Sequence, residues 1–420
     1  MLTASTATFR ARWVFPIESP PIQDGVVQVA RGRIVSIEKY QNGQAVTDLG
    51  DVALLPGLVN AHTHLEFSTL ETPLGRPGMP FADWIGEVVA ARRWLTENGV
   101  DLAAYTDLAF GLGLEESIEV GVAALGEIAS PDCPPASYGT VTGIRGTVFL
   151  ELLGLAPERT ESLLAAAREH VNRSSPNFRQ GLSPHAPYTV SPELLRKVCA
   201  LSAEARVPLA MHLAESMEEL ELLRCHSGPL VERLEDLGAW HPGQIPRGIR
   251  PADYLEMLAA AHQALIIHGS FLGTEDMDFL AARRDRMTVV YCPRTHAYFR
   301  HGEYPLAEMV ARGVRVAVGT DSRASNPDLS VLSELRHIAR HHPSVHPEEV
   351  LKMGAVYGAE ALGIADELGG LAPGKQAAFA VVPLANAGDD PYELLFTKET
   401  IDALPLLPQA RQSQKARGDL

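Results

Sequence analysis

The stretch LVNAHTHLEFS, from Leu58 to Ser68, ends an apolar run with two histidines that are two residues apart. Successive side chains of a β-strand point to opposite faces, so His62 and His64 are expected on the same face. Two neutral imidazoles on one face can hold a metal ion, although a lone H-x-H is more often packed or solvent-facing. The rest of the chain has to decide between these interpretations.

The composition limits the class of protein. The chain has 420 residues, 46% hydrophobic and 21% charged, as in ordinary soluble globular proteins. The formal net charge of −16 argues against a nucleic-acid partner, because phosphate binding needs a basic surface. The sequence shows no apolar run of transmembrane length and no signal-peptide pattern at its N-terminus, so we expect no membrane partner. Four widely spaced cysteines without a C-x-x-C pair predict a reduced, cytoplasmic chain.

From Leu58 onward, short apolar runs alternate with amphipathic stretches, which is typical of a parallel β/α fold. There are eight such runs: LVNAHTH, GVAALGEIA, IRGTVFLE, GLSPHAP, VPLAMHLAE, ALIIHGS, MTVVYCP and VRVAVGTDS. Helical stretches lie between most of them, such as 191–205, where Ser191 suits the N-cap and Pro192 the first helical position. Eight strands, most followed by a helix, predict a (β/α)8 TIM barrel over residues 56–365.

Both ends of the chain have strand character. Residues 1–55 contain short alternating runs broken by glycines, and LGGLAPGKQAAFAVVP near the C-terminus reads as strand again. We therefore expect residues 1–55 and 366–420 to form a small β-sandwich domain beside the barrel, with a loose polar tail at the end.

Polar side chains stand where the apolar runs end. In a barrel, the carboxyl ends of the strands converge on the face where barrel enzymes build their sites. Several imidazoles and one carboxylate, with room for a water molecule, predict a catalytic rather than a closed structural metal site. The side chains in these positions are His62, His64, His185, His212, His268 and Asp321.

Taken singly, these residues have ordinary structural explanations. His185 could be a loop histidine bonded to the backbone, and His268 a satisfied core histidine. Asp321 could cap a turn, and Glu215 could be an acidic residue in the first turn of a helix. Cys292 and His296 could form a zinc pair, but a loop is the simpler interpretation. The arrangement of the strand-end residues as a group favours the metal site.

The same residues carry a family resemblance. The motifs NAHTHLEFS, SPHAPYTVS, MHLAES, IIHGSFL and VAVGTDSRASN, in this order, resemble the amidohydrolase superfamily. The subgroup is that of the mononuclear-metal deaminases and chlorohydrolases, because the fourth-strand end lacks the lysine of binuclear members. HLEFS, FADWI, CPRTHAYF and GTDSRASN are most similar to the aminodeoxyfutalosine deaminases. GKQAAFAVV lacks the aspartate that often follows Gly-Lys in the family, which concerns only the small β domain.

The resemblance implies one divalent metal ion, most readily Zn²⁺ with Fe²⁺ as an alternative. Its ligands would be His62, His64, His212 and Asp321. Glu215 would be the general acid/base, and His268 would orient the attacking water. Asp321 would also accept a proton and pass it to the departing ammonia.

Substrate contacts are also implied. His185 would contact the ring or ribose, and Trp84 and Phe81 would form an apolar wall for a planar group. Arg145 is a candidate partner for a substrate carboxylate, although a structural salt bridge explains it equally well.

The implied function is hydrolytic deamination of a small molecule, an aminopurine nucleoside. The favoured substrate is aminodeoxyfutalosine, of menaquinone biosynthesis. The alternatives are deamination of S-adenosylhomocysteine, adenosine, guanine or cytosine, or dechlorination of a triazine-like ring. A non-enzymatic metal-binding protein is less favoured, because the whole set of site residues is present. Homo-oligomerisation stays open.

Overall fold

The computed structural model describes residues 6–130, 142–384, 388–397 and 403–406. The first part of the chain contributes five strands to one sheet. In the first of them, Phe9, Ala11 and Trp13 are buried at alternate positions, as expected for a strand with one face on a core. These strands are β1 (Thr6–Val14), β2 (Ile22–Ala30), β3 (Arg33–Lys39), β4 (Thr47–Asp48) and β5 (Val52–Pro56).

The next eight strands form a second sheet, in which each strand is parallel to its neighbours and the spatial order follows the chain. They correspond one to one with the eight apolar runs of the sequence. They are β6 (Leu58–Thr63), β7 (Val122–Ala129), β8 (Arg145–Leu152), β9 (Phe178–Pro184), β10 (Pro208–Leu213), β11 (Gln263–His268), β12 (Met287–Tyr291) and β13 (Val316–Val318).

Backbone contacts between the first and last of these strands bring the sheet round into a barrel. The amides of Thr320 and Asp321 both donate to the His62 carbonyl at 3.1 Å, and Thr63 forms a parallel bridge with Asp321. The predicted (β/α)8 barrel is confirmed. The same contacts place the first histidine of the H-x-H motif beside Asp321.

Most helices follow barrel strands and cover them. The helix predicted over 191–205 is confirmed, because the Ser191 hydroxyl caps α4 by accepting from the Leu194 amide at 3.2 Å. The helices are α1 (Phe81–Glu97), α2 (Leu102–Glu119), α3 (Thr160–Val171), α4 (Pro192–Ala205), α5 (Met217–Cys225), α6 (Pro229–Asp236), α7 (Pro251–Leu258), α8 (Thr274–Ala281), α9 (Pro293–Phe299), α10 (Leu306–Arg312), α11 (Val331–His341), α12 (Pro347–Met353), α13 (Val356–Ala361) and α14 (Pro391–Phe396).

The chain returns to the first sheet at its C-terminal end. Strands β14 (Phe379–Pro383) and β15 (Leu404–Leu406) extend it, giving the order β15-β14-β5-β1-β2-β3 with β4 beside β1. Phe379 meets Phe9 edge to face, with ring centroids 6.1 Å apart. The predicted small β domain built from both ends of the chain is confirmed, and its seven strands form one hydrogen-bonded sheet. The exact domain limits stay a prediction.

Two clusters of buried apolar residues belong to the barrel. One lies largely between the strands and the helices, and the other fills the barrel with side chains such as Ala61, Phe149, Ala210 and Ile267. No described helix is long and apolar enough to cross a membrane.

Candidate active site

Three imidazoles meet at the carboxyl end of the barrel. His62 is the second-last residue of β6, His64 follows that strand, and His212 is the second-last residue of β10. One ring nitrogen from each histidine lies within 4.8 Å of the others, and Nε2 of His64 is 3.4 Å from Nε2 of His212. The structure therefore brings together three of the four predicted ligands as one cluster, although 148 positions separate His212 from His64 in the chain.

Asp321, the fourth predicted ligand, lies beside the three histidines. Its Oδ1 is 3.6 Å from Nε2 of His62 and 3.9 Å from Nε2 of His64, while its Oδ2 accepts a hydrogen bond from the Ser325 hydroxyl at 3.0 Å. Burial alone would raise the pKa of Asp321, but the imidazoles of His62, His268 and His64 outweigh it and lower this pKa. Asp321 is therefore an ionised oxygen donor beside the cluster.

The cluster has the chemistry that a divalent metal requires. Both ring nitrogens of His62 are buried and lack a hydrogen-bond partner among the described residues, which lowers stability unless something else binds them. Burial lowers the pKa of His64 and His212 well below the usual range, so both imidazoles are neutral, as metal ligands must be. Nδ1 of His212 donates to the His185 carbonyl at 3.0 Å, which leaves Nε2 free as a ligand atom.

Glu215 and His268 stand beside this cluster. The chain leaves β10 through Ala214, whose φ of 53° turns it sharply, and Glu215 follows at once. Nε2 of His268 lies 3.4 Å from Oε1 of Glu215, and His268 itself has a φ of 66°. Left-handed backbone is uncommon outside glycine, so its presence at both turns indicates that the surroundings hold these side chains in place.

Burial controls the protonation of this pair. Burial, reinforced by the negative charges of Asp321 and Glu219, raises the pKa of Glu215 well above the usual carboxyl range. Burial lowers the pKa of His268 to about 3. Both shifts favour the uncharged forms, a carboxyl that keeps its proton more readily than usual and a neutral imidazole.

A cavity of about 230 Å³ opens in front of these groups. Trp84 and Phe81 line it from α1, with their rings stacked at a centroid distance of 6.0 Å. The Trp84 indole donates to the Ala324 carbonyl at 3.2 Å, which holds its ring against the loop that follows β13. His185 lines the same cavity from the end of β9. The structure thus brings the three predicted contact residues to one cavity, and their contact with a substrate stays a prediction.

Arg145 lies elsewhere, and its prediction as a substrate contact is wrong. It is the first residue of β8, at the amino end of the barrel, and Nη1 of Arg145 is 2.6 Å from Oε2 of Glu367. The eight residues of β8 put it about 20 Å from the carboxyl end of the strand, since each residue adds about 3.3 Å. The structural salt bridge is the correct explanation.

The pair Cys292 and His296 also has a structural explanation. Cys292 is the residue before α9, and His296 lies within this helix, so most of the stretch is a helix rather than a loop. The His296 ring contacts the Ser270 hydroxyl at 3.3 Å and donates to the Gly302 carbonyl at 3.0 Å. Both of its nitrogens are thereby used without a metal ion.

Two buried carboxylates near the cavity received no role from the sequence. Glu219 accepts hydrogen bonds from the amides of Ala214 and Glu215, at 2.8 and 3.1 Å, and so fixes the turn that carries Glu215. Glu151, near the end of β8, lines the cavity. In the sequence, Glu151 stands at the end of an apolar run, as His212 and His268 do. This position is the feature from which a role at the site could have been predicted.

Comparison with known proteins agrees with this geometry. The amidohydrolase family model matches residues 53–404. An aminodeoxyfutalosine deaminase of Deinococcus radiodurans is 32% identical over 336 residues, which cover 77% of this chain and 76% of the relative. A 5-methylthioadenosine/S-adenosylhomocysteine deaminase of Moorella thermoacetica is 29% identical over 390 residues, covering 88% and 84%.

A solved structure shares the fold. The crystal structure of Helicobacter pylori aminofutalosine deaminase superposes with a TM-score of 0.78 at 23% identity, covering 93% of this chain and 95% of the other. The resemblance inferred from the sequence motifs is confirmed. The chain is an enzyme of the amidohydrolase family.

Proposed function

We propose that this enzyme is a metal-dependent hydrolytic deaminase of 6-aminopurine nucleosides, with aminodeoxyfutalosine as its preferred substrate. The observation that carries the proposal is the buried Glu215–His268 pair beside the three-histidine cluster. The names of the relatives, which act on aminodeoxyfutalosine or on 5-methylthioadenosine and S-adenosylhomocysteine, support the nucleoside class.

His62, His64, His212 and Asp321 would hold one divalent ion, and Zn²⁺ suits this donor set, with Fe²⁺ as the alternative. When bound, such an ion supplies the Lewis acidity that brings the pKa of water toward neutrality.

The side chains of the site can supply the proton transfers of the reaction. Deamination adds water to the ring carbon that carries the amino group, and releases this group as ammonia. The Glu215 carboxyl, whose pKa burial raises, can donate a proton to the neighbouring ring nitrogen as that carbon is attacked. The ionised Asp321 carboxylate can accept a proton from water and return it to the leaving amine. The neutral His268 imidazole can orient the water by a hydrogen bond.

Deamination is favoured over the chlorohydrolase alternative because of the relatives. Proteins similar to this chain over most of its length, at 32% and 29% identity, carry the names of nucleoside deaminases. Ammonia is also a poor leaving group unless protonated, whereas chloride leaves without a proton, so a site with two buried carboxyl groups that can transfer protons, Glu215 and Asp321, suits deamination.

A substrate screen tests the proposal. We expect ammonia release, with a change in the adenine absorbance band, from aminodeoxyfutalosine, and weaker release from 5-methylthioadenosine, S-adenosylhomocysteine and adenosine. A chlorinated triazine, guanine and cytosine complete the panel. Turnover of the triazine alone, or of no aminopurine nucleoside, would contradict the proposal. A higher kcat/KM for 5-methylthioadenosine than for aminodeoxyfutalosine would support the deaminase activity and contradict only the preferred substrate.

A further inference from the structure

The carboxylate of Glu151 is the group that the reaction leaves unused. It is the second-last residue of β8, and its side chain is only 6% exposed. Strand alternation puts Glu151 on the same face as Phe149, which packs inside the barrel with Ala210 and Ile267. The carboxylate therefore points to the barrel axis and lines the cavity of about 230 Å³.

This carboxylate has no donor of its own. Within the described ranges, no side chain or backbone amide donates a hydrogen bond to Glu151, and the nearest ring nitrogen, Nε2 of His185, is 3.9 Å away. A buried acceptor without a donor lowers the stability of the folded protein by about 1–3 kcal/mol, and by more when the acceptor is charged. The missing donors have to come from whatever fills the cavity.

His185 presents a second polar atom at the same place. The Thr189 hydroxyl contacts Nδ1 of His185 at 2.8 Å and fixes the ring, so that Nε2 stays beside Glu151. A ligand here therefore meets two carboxylate oxygens and one imidazole nitrogen.

The position of this polar group relative to Glu215 matches the length of a nucleoside. Glu151 is on β8 and Glu215 follows β10, with only β9 between them in the sheet. Neighbouring strands are about 4.8 Å apart, so the two carboxyl groups stand on strands roughly 10 Å apart. A base held at Glu215 would carry its sugar toward Glu151.

We propose that Glu151, assisted by His185, binds the two adjacent hydroxyl groups of the substrate's ribose and so makes the enzyme select nucleosides over free bases. Two hydroxyls on neighbouring carbons can donate to both oxygens of one carboxylate, as paired donors do in other bidentate contacts. The inference rests on the proposed deaminase function, since it uses the amino-bearing ring to fix the other end of the substrate.

Arg92 supports this role from the cavity wall. Its Nη2 donates to Oε1 of Glu66 at 2.5 Å, which ties the guanidinium to the short turn after His64. Burial raises the pKa of Glu151, and the positive charge of Arg92 opposes this shift. In its carboxylate form the side chain offers only acceptors, which suits the two donors of a diol.

The test compares ribonucleosides with counterparts that lack the hydroxyls. Adenosine, 5-methylthioadenosine and aminodeoxyfutalosine would each be assayed beside the 2′,3′-dideoxy form. In the native enzyme we expect kcat/KM to be about 10- to 100-fold higher for the ribonucleosides, the range for hydrogen bonds to a charged group. In Glu151→Gln this ratio should fall toward one through a higher KM for the ribonucleosides, while the dideoxy forms keep their kcat/KM. Glu161→Gln, with a side chain 79% exposed on α3, is the matched control and should keep the native ratio.

Each other outcome has a defined meaning. Equal turnover of ribo and dideoxy forms by the native enzyme, or an equal loss for both in Glu151→Gln, would overturn the inference and leave the deaminase function standing. Loss of metal in Glu151→Gln, measured by elemental analysis, would assign Glu151 to the metal and also overturn the inference. Failure to deaminate any of the nucleosides would overturn the proposed function, and the inference with it.

Discussion

Nε2 of His268 and Oε1 of Glu215 are 3.4 Å apart, and both side chains are buried. Burial lowers the pKa of the imidazole to about 3 and raises the pKa of the carboxyl well above its usual range, so burial opposes an ion pair between the two groups. A raised pKa makes Glu215 hold its proton more tightly, as a general acid must before the reaction begins.

The first prediction concerns that proton. Glu215→Gln keeps the size of the side chain and removes its acidity, so kcat should fall by about 10²–10⁴-fold, the range for general acid/base groups. Bound metal should stay at the native level, since Glu215 is outside the three-histidine cluster. Ammonia release and elemental analysis on the same sample measure both quantities. Glu204→Gln, an exposed position on α4, is the control and should be fully active. Native activity in Glu215→Gln would remove this residue from the reaction.

The barrel was predictable because one physical pattern repeats eight times. A strand buried on both faces reads as a short apolar run, and a polar residue where the run stops belongs to the carboxyl end. That reasoning predicts that His62, His212 and His268 lie at the carboxyl end of the barrel, and the structure places them there. The same reasoning distinguishes two residues of β8. Glu151 is near the end of its apolar run and belongs to the carboxyl end of the barrel, whereas Arg145 is at the start of the strand and belongs to the amino end.

Other features depend on contacts that a sequence pattern does not contain. Glu219 sits in the first turn of a helix, where an acidic residue is ordinary, and only the fold shows that it holds the Ala214 and Glu215 amides. The proximity of Asp321 to His62 is likewise a consequence of barrel closure across 259 positions. Neither contact follows from helical or strand periodicity.

The second prediction concerns the metal site. His62→Ala removes the imidazole whose two nitrogens have no other partner, so metal content and activity should fall together. His262→Ala is the matched control, because this exposed histidine precedes β11 at the amino end of the barrel. Elemental analysis of both purified proteins measures the metal. Native metal content in His62→Ala would show that the ligand assignment is wrong.

The third prediction concerns the close approach of β13 to β6. A Cβ added at Gly319 would lie 2.9 Å from both the Cβ and the carbonyl oxygen of His62, so His62 would have to move. Gly319→Ala should therefore lose metal affinity while the rest of the barrel keeps its fold. Gly111→Ala makes the same change in α2, where nothing lies within 4 Å, and should stabilise the protein by about 0.5–1 kcal/mol. Metal titration and urea unfolding distinguish the two, and an unchanged metal affinity in Gly319→Ala would contradict the packing argument.

The fourth prediction concerns Glu219 and the dependence of stability on pH. Burial raises the pKa of Glu219 from 4.5 to about 7. The hydrogen bonds from the amides of Ala214 and Glu215 lower this pKa, but burial has the larger effect. The unfolded chain releases this proton near pH 4.5, whereas the folded chain keeps it until about pH 7. Between these values the folded state binds more protons, so this group makes the free energy of unfolding fall as pH rises.

Glu219→Gln cannot titrate, so comparing its stability with that of the native protein isolates the effect. The free energy of unfolding of the native protein relative to the variant should decrease by about 3 kcal/mol between pH 4.5 and 7, because each pKa unit corresponds to about 1.4 kcal/mol. Above pH 7 the difference should level off. Urea unfolding of both proteins across this range, at equal metal content, gives the difference directly, since the other titrating groups cancel. A difference that stays constant with pH would mean that the folded protein does not hold the Glu219 proton, and that the carboxylate which fixes the Glu215 turn is ionised throughout.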